Sequence, residues 1–246
     1  MRIGFDMDGV VANLHATFAE TAVRLFPDID PAALAPADVG ASPPGPHDSE
    51  GAPETELPPD ASRVELPLTR RQQAKVWNHI ADVVDFWETL AETEPGIVGR
   101  IASVAEERRW EVIFVTSRPP TKGRTIQRQS QRWLERHGFP LPSVFVVQNS
   151  RGQIAQALQL DVVVDDRADN CLDVVLESKA GAVLIWRGPQ ESVPISSRRL
   201  GIAVAPTVVD CLNTLIEADK EQDGSLLDRL RTVFGLRTKS NTGLRR

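Results

Sequence analysis

From Glu94-Pro95-Gly96 to about residue 205, short runs of branched apolar residues alternate with longer stretches of helical period, and this alternation restricts the fold more than any other feature. The expected order is helix 97–107, strand 112–116, helix 124–137, strand 144–147, helix 152–158, strand 162–164, helix 169–179 and strand 182–186. Gly138 and Gly181 stand where two of the helices should stop. A strand at 202–205 and a helix at 207–218 extend the series, and the chain begins with a strand at 2–5 and a helix at 13–26 carrying Leu14, Phe18, Ala22 and Leu25. Strands that alternate with helices imply a parallel sheet covered by helices on both faces, an α/β, Rossmann-like architecture.

Two regions break the pattern. Between Pro27 and Pro67 lie ten of the chain's eighteen prolines and nine acidic residues against one basic residue, Arg63, which predicts a long irregular, partly disordered acidic insertion. Beyond Asp219 seven basic and three acidic residues occur with little periodicity, so 219–246 is expected to be a mobile basic tail. Between them, Thr69-Arg70-Arg71-Gln72 forms a capping-box pattern. Val76, Trp77, Ile80, Val83, Val84, Trp87, Leu90 and Ala91 follow it at helical spacing, predicting an amphipathic helix over about 69–93.

With 246 residues, 41% of them hydrophobic, the chain can bury a substantial core. Its net charge of -6 argues against a nucleic acid polymer as partner. The two cysteines, Cys171 and Cys211, lack metal-ligand spacing and suit a reducing cytosol, and the four histidines form no pair at zinc-binding spacing. No run is long enough for a signal or membrane segment, so a cytoplasmic protein without a membrane partner is expected. The sequence is silent on oligomeric state.

In an open parallel sheet ligands bind beyond the carboxyl ends of the strands. Three expected strands end in reactive or phosphate-holding residues: Asp6-Met7-Asp8-Gly9, Thr116-Ser117-Arg118 and Asp165-Asp166. Asp6 is suited to attack phosphorus and form an aspartyl-phosphate. Asp8 is suited to protonate the leaving oxygen and then to deprotonate water. Gly9 permits a sharp turn that brings backbone N–H groups near a phosphoryl oxygen. Carboxylates facing a dianion call for a hard cation, here Mg²⁺, with Asp6, Asp165 and the Asp8 carbonyl as ligands and Asp166 either a ligand or the holder of a bound water. Thr116 offers a hydroxyl and Ser117 a backbone N–H to the phosphoryl group. Arg118 either contacts substrate or pairs with Asp166.

The stretches Asp6-Met7-Asp8-Gly9-Val10-Val11-Ala12, Val115-Thr116-Ser117-Arg118-Pro119 and Val164-Asp165-Asp166-Arg167 resemble the motifs of the haloacid dehalogenase-like (HAD) superfamily. Phe86-Trp87-Glu88-Thr89-Leu90, Pro95-Gly96 and Trp133-Leu134-Glu135-Arg136-His137-Gly138 bring the likeness nearest to its 5'(3')-deoxyribonucleotidase group. The resemblance implies a core formed by 1–14 and 95–218. It also implies a mainly helical cap over 15–94, inserted after the first strand, whose Trp77, Phe86 and Trp87 either line a base-stacking wall or serve as core. Dehalogenases of the superfamily lack the second aspartate, so Asp8 favours phosphoryl transfer.

The superfamily places a lysine beside the nucleophile, and no lysine stands at an equivalent position here. Arg151, just before Gly152 and fourteen residues before Asp165, keeps the charge, with Lys122 next in order and Arg128 third. The expected function is Mg²⁺-dependent hydrolysis of a small phosphomonoester, with a (deoxy)nucleoside 5'-monophosphate the nearest candidate. The alternatives are a catalytically weak protein that binds a phosphorylated ligand or protein partner, and a phosphotransferase or mutase.

Overall fold

Six strands form one sheet: β1 (Arg2–Asp6), β2 (Glu111–Thr116), β3 (Ser143–Val146), β4 (Val162–Asp165), β5 (Gly181–Ile185) and β6 (Ala203–Ala205). Their order is β3-β2-β1-β4-β5-β6, and every neighbouring pair is parallel. The computed structural model describes residues 1–34, 66–148 and 150–220. Among these are eight α-helices: α1 (Leu14–Leu25), α2 (Arg70–Asp82), α3 (Ile97–Arg108), α4 (Ile126–Arg136), α5 (Arg151–Ala157), α6 (Ala168–Glu177), α7 (Ile195–Arg199) and α8 (Val208–Lys220). None of the described helices is long and apolar enough to cross a membrane.

The two-residue period of a strand sends alternate side chains to opposite faces, and the core divides accordingly. Ile3, Phe5, Phe114, Val162, Val164, Val183 and Ile185 pack with Phe18, Trp77, Ile101, Trp133 and Leu215 from α1, α2, α3, α4 and α8. Val163, Ala182 and Leu184 pack instead with Ala155 of α5 and with Cys171 and Val174 of α6. Both faces are therefore covered, as the strand–helix alternation predicts. Full burial of each large aliphatic or aromatic side chain contributes roughly 1.5–3 kcal/mol. Both cysteines are buried free thiols.

The capping box at Thr69 forms, with Gln72 N donating to the Thr69 hydroxyl and Thr69 N donating to Gln72 Oε1. The helix it starts is shorter than the periodicity of 69–93 implies. It stops at Asp82, Val83 is extended, and Asp85 takes a left-handed φ of 53° before a 3₁₀ turn at Phe86–Glu88. The cause is tertiary. Lys122 N donates to Ala81 O, Asp85 N donates to Lys122 O, and the Asp85 carboxylate accepts from Arg124 N, so the loop before α4 draws the chain out of its helical path. Trp77, Phe86 and Trp87 are all buried and pack with the main core.

Within the proline-rich stretch 27–67, Pro31–Leu34 forms a 3₁₀ turn and Leu34 and Leu66 are buried against the main core; the rest of the expected insertion, 35–65, lies outside the described residues. Helix α8 runs two residues beyond its expected end, to Lys220, and the remainder of the basic tail lies outside the described residues.

Candidate active site

The chain leaves β1 for β2 and β3 on one side, then returns to β4 on the other, so the order of connections reverses between β1 and β4. Such a switch point opens a crevice at the carboxyl ends of the strands. The register pairs Phe5 with Val164 and Asp6 with Val115, which puts Asp6, Thr116 and Asp165 at one edge of the sheet.

After β1 the chain closes a tight loop in which Val11 N and Ala12 N both donate to Met7 O and Gly9 N donates to Ala12 O. Gly9 has a φ of 84°, and a Cβ there would lie 1.8 Å from Asp166 Oδ2, so glycine serves both the turn and the approach of the β4 loop. Asn13 caps α1, its side chain accepting from Ala16 N.

The two aspartates of the loop have separate cationic partners. Arg151, the first residue of α5, brings Nη2 to 2.6 Å from Asp6 Oδ1 and Nε to 3.5 Å from Asp165 Oδ2. Burial alone would lower the Arg151 guanidinium, but the charges of Asp6 and Asp165 outweigh it and raise it above its ordinary value. Arg118 grips Asp8 through Nη2 to Oδ1 at 2.6 Å and Nε to Oδ2 at 2.8 Å. Of the two alternatives for Arg118, the pair with Asp166 is not formed: its carboxylate partner is Asp8. Lys122 is exposed and paired with Asp82 at 2.8 Å, and Arg128 is exposed on α4, so neither joins the site.

Thr116 and Ser117 are buried, and the Thr116 hydroxyl donates to Asp8 Oδ2 at 3.4 Å. Asp165 is buried and accepts from both Asn170 Nδ2, at 3.0 Å to each oxygen, and Arg167 N. Asp166 turns the other way. A cavity of about 90 Å³ is lined by Asp6, Asp8 and Gly9, by Leu14 and His15 at the start of α1, and by Asp166, Arg167 and Asn170. Burial, then the charges of Asp165 and Asp6, hold the Asp166 carboxyl well above the usual range, with Arg187 opposing them. Burial likewise lowers His15 and favours its neutral form.

Four residues of this neighbourhood escape the sequence reading. Asn170 stands four residues after Asp166, a helical spacing that signals a shared face. His15 follows the cap of α1, and Ser130 lies among polar residues of α4, with no local sign of function. Arg187, just beyond β5, donates to Gly9 O at 2.5 Å and reaches Glu94 at 3.4 Å, pinning the Asp6–Gly9 loop from the far side of the sheet edge. Its position after a strand was the available signal.

The donor set fits a hard divalent cation: it is all oxygen, and Asp6, Asp8, Asp165 and Asp166 outnumber the buried arginines. Among the described residues no three His, Cys, Asp or Glu side chains are placed so that together they could hold a metal ion. Mg²⁺ does not require three such side chains, since it keeps several waters and commonly takes one or two carboxylates.

No protein-family model and no curated protein matches the chain. Among solved structures, a hydrolase from Pseudomonas syringae is similar at 13% identity with a TM-score of 0.47, covering 88% of this chain and 99% of that one. A likeness of that size says nothing about chemistry, which for this chain rests on the residues at the sheet edge.

Proposed function

We propose that the chain is a Mg²⁺-dependent HAD-like phosphatase that hydrolyses a small phosphomonoester through an aspartyl-phosphate at Asp6. One observation carries the reading: Asp6 and Asp8 line a single cavity at the switch point, each backed by its own buried arginine.

In the first half-reaction the Asp6 carboxylate attacks phosphorus, the bond to the leaving oxygen breaks, and Asp8 delivers a proton to that oxygen. In the second, a water deprotonated by Asp8 attacks the aspartyl-phosphate, releasing inorganic phosphate and restoring the Asp6 carboxylate. Arg151 offsets the charge that gathers when a phosphoryl dianion meets Asp6, a role for which its position on Asp6 suits it. A divalent cation held by Asp6, Asp166 and the Asp8 carbonyl, with Asp165 behind them, would supply further neutralisation of the phosphoryl oxygens. A phosphotransferase would share the intermediate and differ only in the acceptor. The proposed partner is the small phosphorylated substrate, with nucleoside 5'-monophosphates first in the panel to be tried.

The test is phosphate release by the purified chain with Mg²⁺ from a panel of phosphomonoesters, beside Asp6→Asn. Wild type should turn over at least one substrate while the variant falls to background. Equal, background release by both proteins on every substrate would overturn the reading.

A further inference from the structure

Arg118 leaves the end of β2 fully buried and has a role assigned to each guanidinium nitrogen. Nε and Nη2 donate to the two Asp8 oxygens, at 2.8 and 2.6 Å, and Nη1 donates to Ser130 Oγ at 2.9 Å. The guanidinium carbon lies 4.7 Å from the centre of the Trp87 ring. These supports are themselves fixed. Trp87 Nε1 donates to Pro119 O at 3.1 Å, Trp87 N donates to Gln129 Oε1 at 3.0 Å, and Ser130 is fully buried on α4.

A two-point contact from a planar fork sets the plane of a carboxylate as well as its distance. Contact with an indole face in turn restrains the fork. A lone ammonium would supply charge without orientation. Asp8 lines the cavity with Asp6, whereas Arg118, Ser130 and Trp87 do not, and Arg118 meets this site through its contacts with Asp8.

We propose that Arg118 is a positioning residue that holds the Asp8 carboxyl in the orientation for proton transfer to the leaving group, and that Trp87 and Ser130 hold Arg118 for that purpose. The inference rests on Asp8 being the acid–base group of the phosphatase proposed above. It gives Arg118 a task different from the two that the sequence suggests, contact with substrate and a pair with Asp166.

The test exploits leaving groups. An alkyl phosphate expels an alkoxide and depends on the proton from Asp8, whereas 4-nitrophenyl phosphate expels a stable phenolate without it. With the full chain and Mg²⁺, Asp8→Asn should lose on the order of 10²-fold or more in kcat/KM, which reports only the steps up to transfer onto Asp6, on an alkyl phosphate and under about tenfold on the nitrophenyl ester. Arg118→Gln should reproduce that split in kcat/KM, Arg118→Lys should recover little of it, and the double variant should be no worse than Asp8→Asn alone.

Equal losses in kcat/KM on both substrates, or additive losses in the double variant, would overturn the proposal. Should Arg118→Gln fail to fold, Ser130→Ala and Trp87→Leu keep the arginine and loosen it; a smaller split in the same direction is expected, and no split is contrary. Wild type inactive on both esters refutes the phosphatase reading and this inference with it. An active wild type whose variants lose both activities equally refutes the positioning role alone.

Discussion

Arg151 Nη2 stands 2.6 Å from Asp6 Oδ1, both side chains are buried, and 145 residues of chain separate them. Removing one partner of a buried ion pair leaves a charge without compensation, at a cost of about 3–5 kcal/mol. Here the cost falls on a site already rich in carboxylates. Arg151→Ala is expected to lower the thermal midpoint clearly and to reduce kcat by on the order of 10²–10³-fold. Arg151→Lys should retain part of both, because charge survives while the reach to Asp165 is lost. Calorimetry and phosphate release check the two effects; an Ala variant as active as wild type would remove Arg151 from the mechanism.

At Gly9 two constraints coincide. A left-handed φ costs a non-glycine residue roughly 1–2 kcal/mol, and a Cβ would strike Asp166 Oδ2 at 1.8 Å. Gly9→Ala should therefore displace the Asp166 loop and lower kcat by on the order of 10²-fold, the scale of a small misplacement at a reacting centre. Steady-state kinetics at saturating substrate are the measurement, and unchanged kcat contradicts the close approach.

The raised Asp166 carboxyl has a thermodynamic counterpart. The folded protein holds this proton more tightly than the unfolded chain does, so without metal it is favoured at low pH and loses that advantage as pH rises above the ordinary carboxyl range. Asp166→Asn should flatten this part of the pH–stability curve and raise the metal-free thermal midpoint at neutral pH. Mg²⁺ should offset the loss in wild type more than in the variant, as linkage requires of a ligand bound to the folded state. Parallel stability curves for the two proteins would count against the reading.

Gly152 tests how firmly α5 is seated. A Cβ at this position would lie 2.2 Å from Asp173 O and 2.6 Å from Glu177 Cβ, so α5 would have to move away from α6. Overpacking of this sort costs typically 1–3 kcal/mol. Because Gly152 adjoins Arg151, Gly152→Ala is expected to lower both stability and kcat, and a variant with wild-type kcat would separate α5 packing from Arg151 placement.

Lys122 provides the contrast. Its ammonium is exposed and paired with Asp82 on the surface. Exposed pairs of this type contribute little, so Lys122→Ala should leave kcat, KM and the thermal midpoint unchanged within error. A substantial loss of activity would return Lys122 to the site.

Much of this arrangement is legible in the sequence because it is local. Strand ends carry Asp6, Thr116 and Asp165, and a parallel sheet brings strand ends together whatever the details of packing. Arg151 is found through the family resemblance instead, as the cation that stands before Gly152 where the superfamily's lysine is expected. The partner of Arg118 is not legible, since it depends on the direction in which a side chain leaves the turn after β2 and on Ser130 and Trp87, which come from other elements. The end of α2 is hidden for a similar reason. Val83, Val84, Phe86 and Trp87 continue an apolar pattern, and only contacts with Lys122 and Arg124 show that the helix stops. The five-residue helix α7 is too short to generate a periodic signal.

The central place of β1 bears on the order of assembly during synthesis. Its neighbours β2 and β4 begin at Glu111 and Val162, so β1 waits until the chain has been made beyond Val162 before both of its edges are paired. Asp6 meets Arg151 only after most of that length has been made, and pairings so distant in sequence are slow to form. The centre of the sheet and its buried charges are thus late products of folding. A nascent chain halted before α5 would expose an unpaired strand edge and an aspartate without its arginine, the kind of surface that chaperones exist to cover.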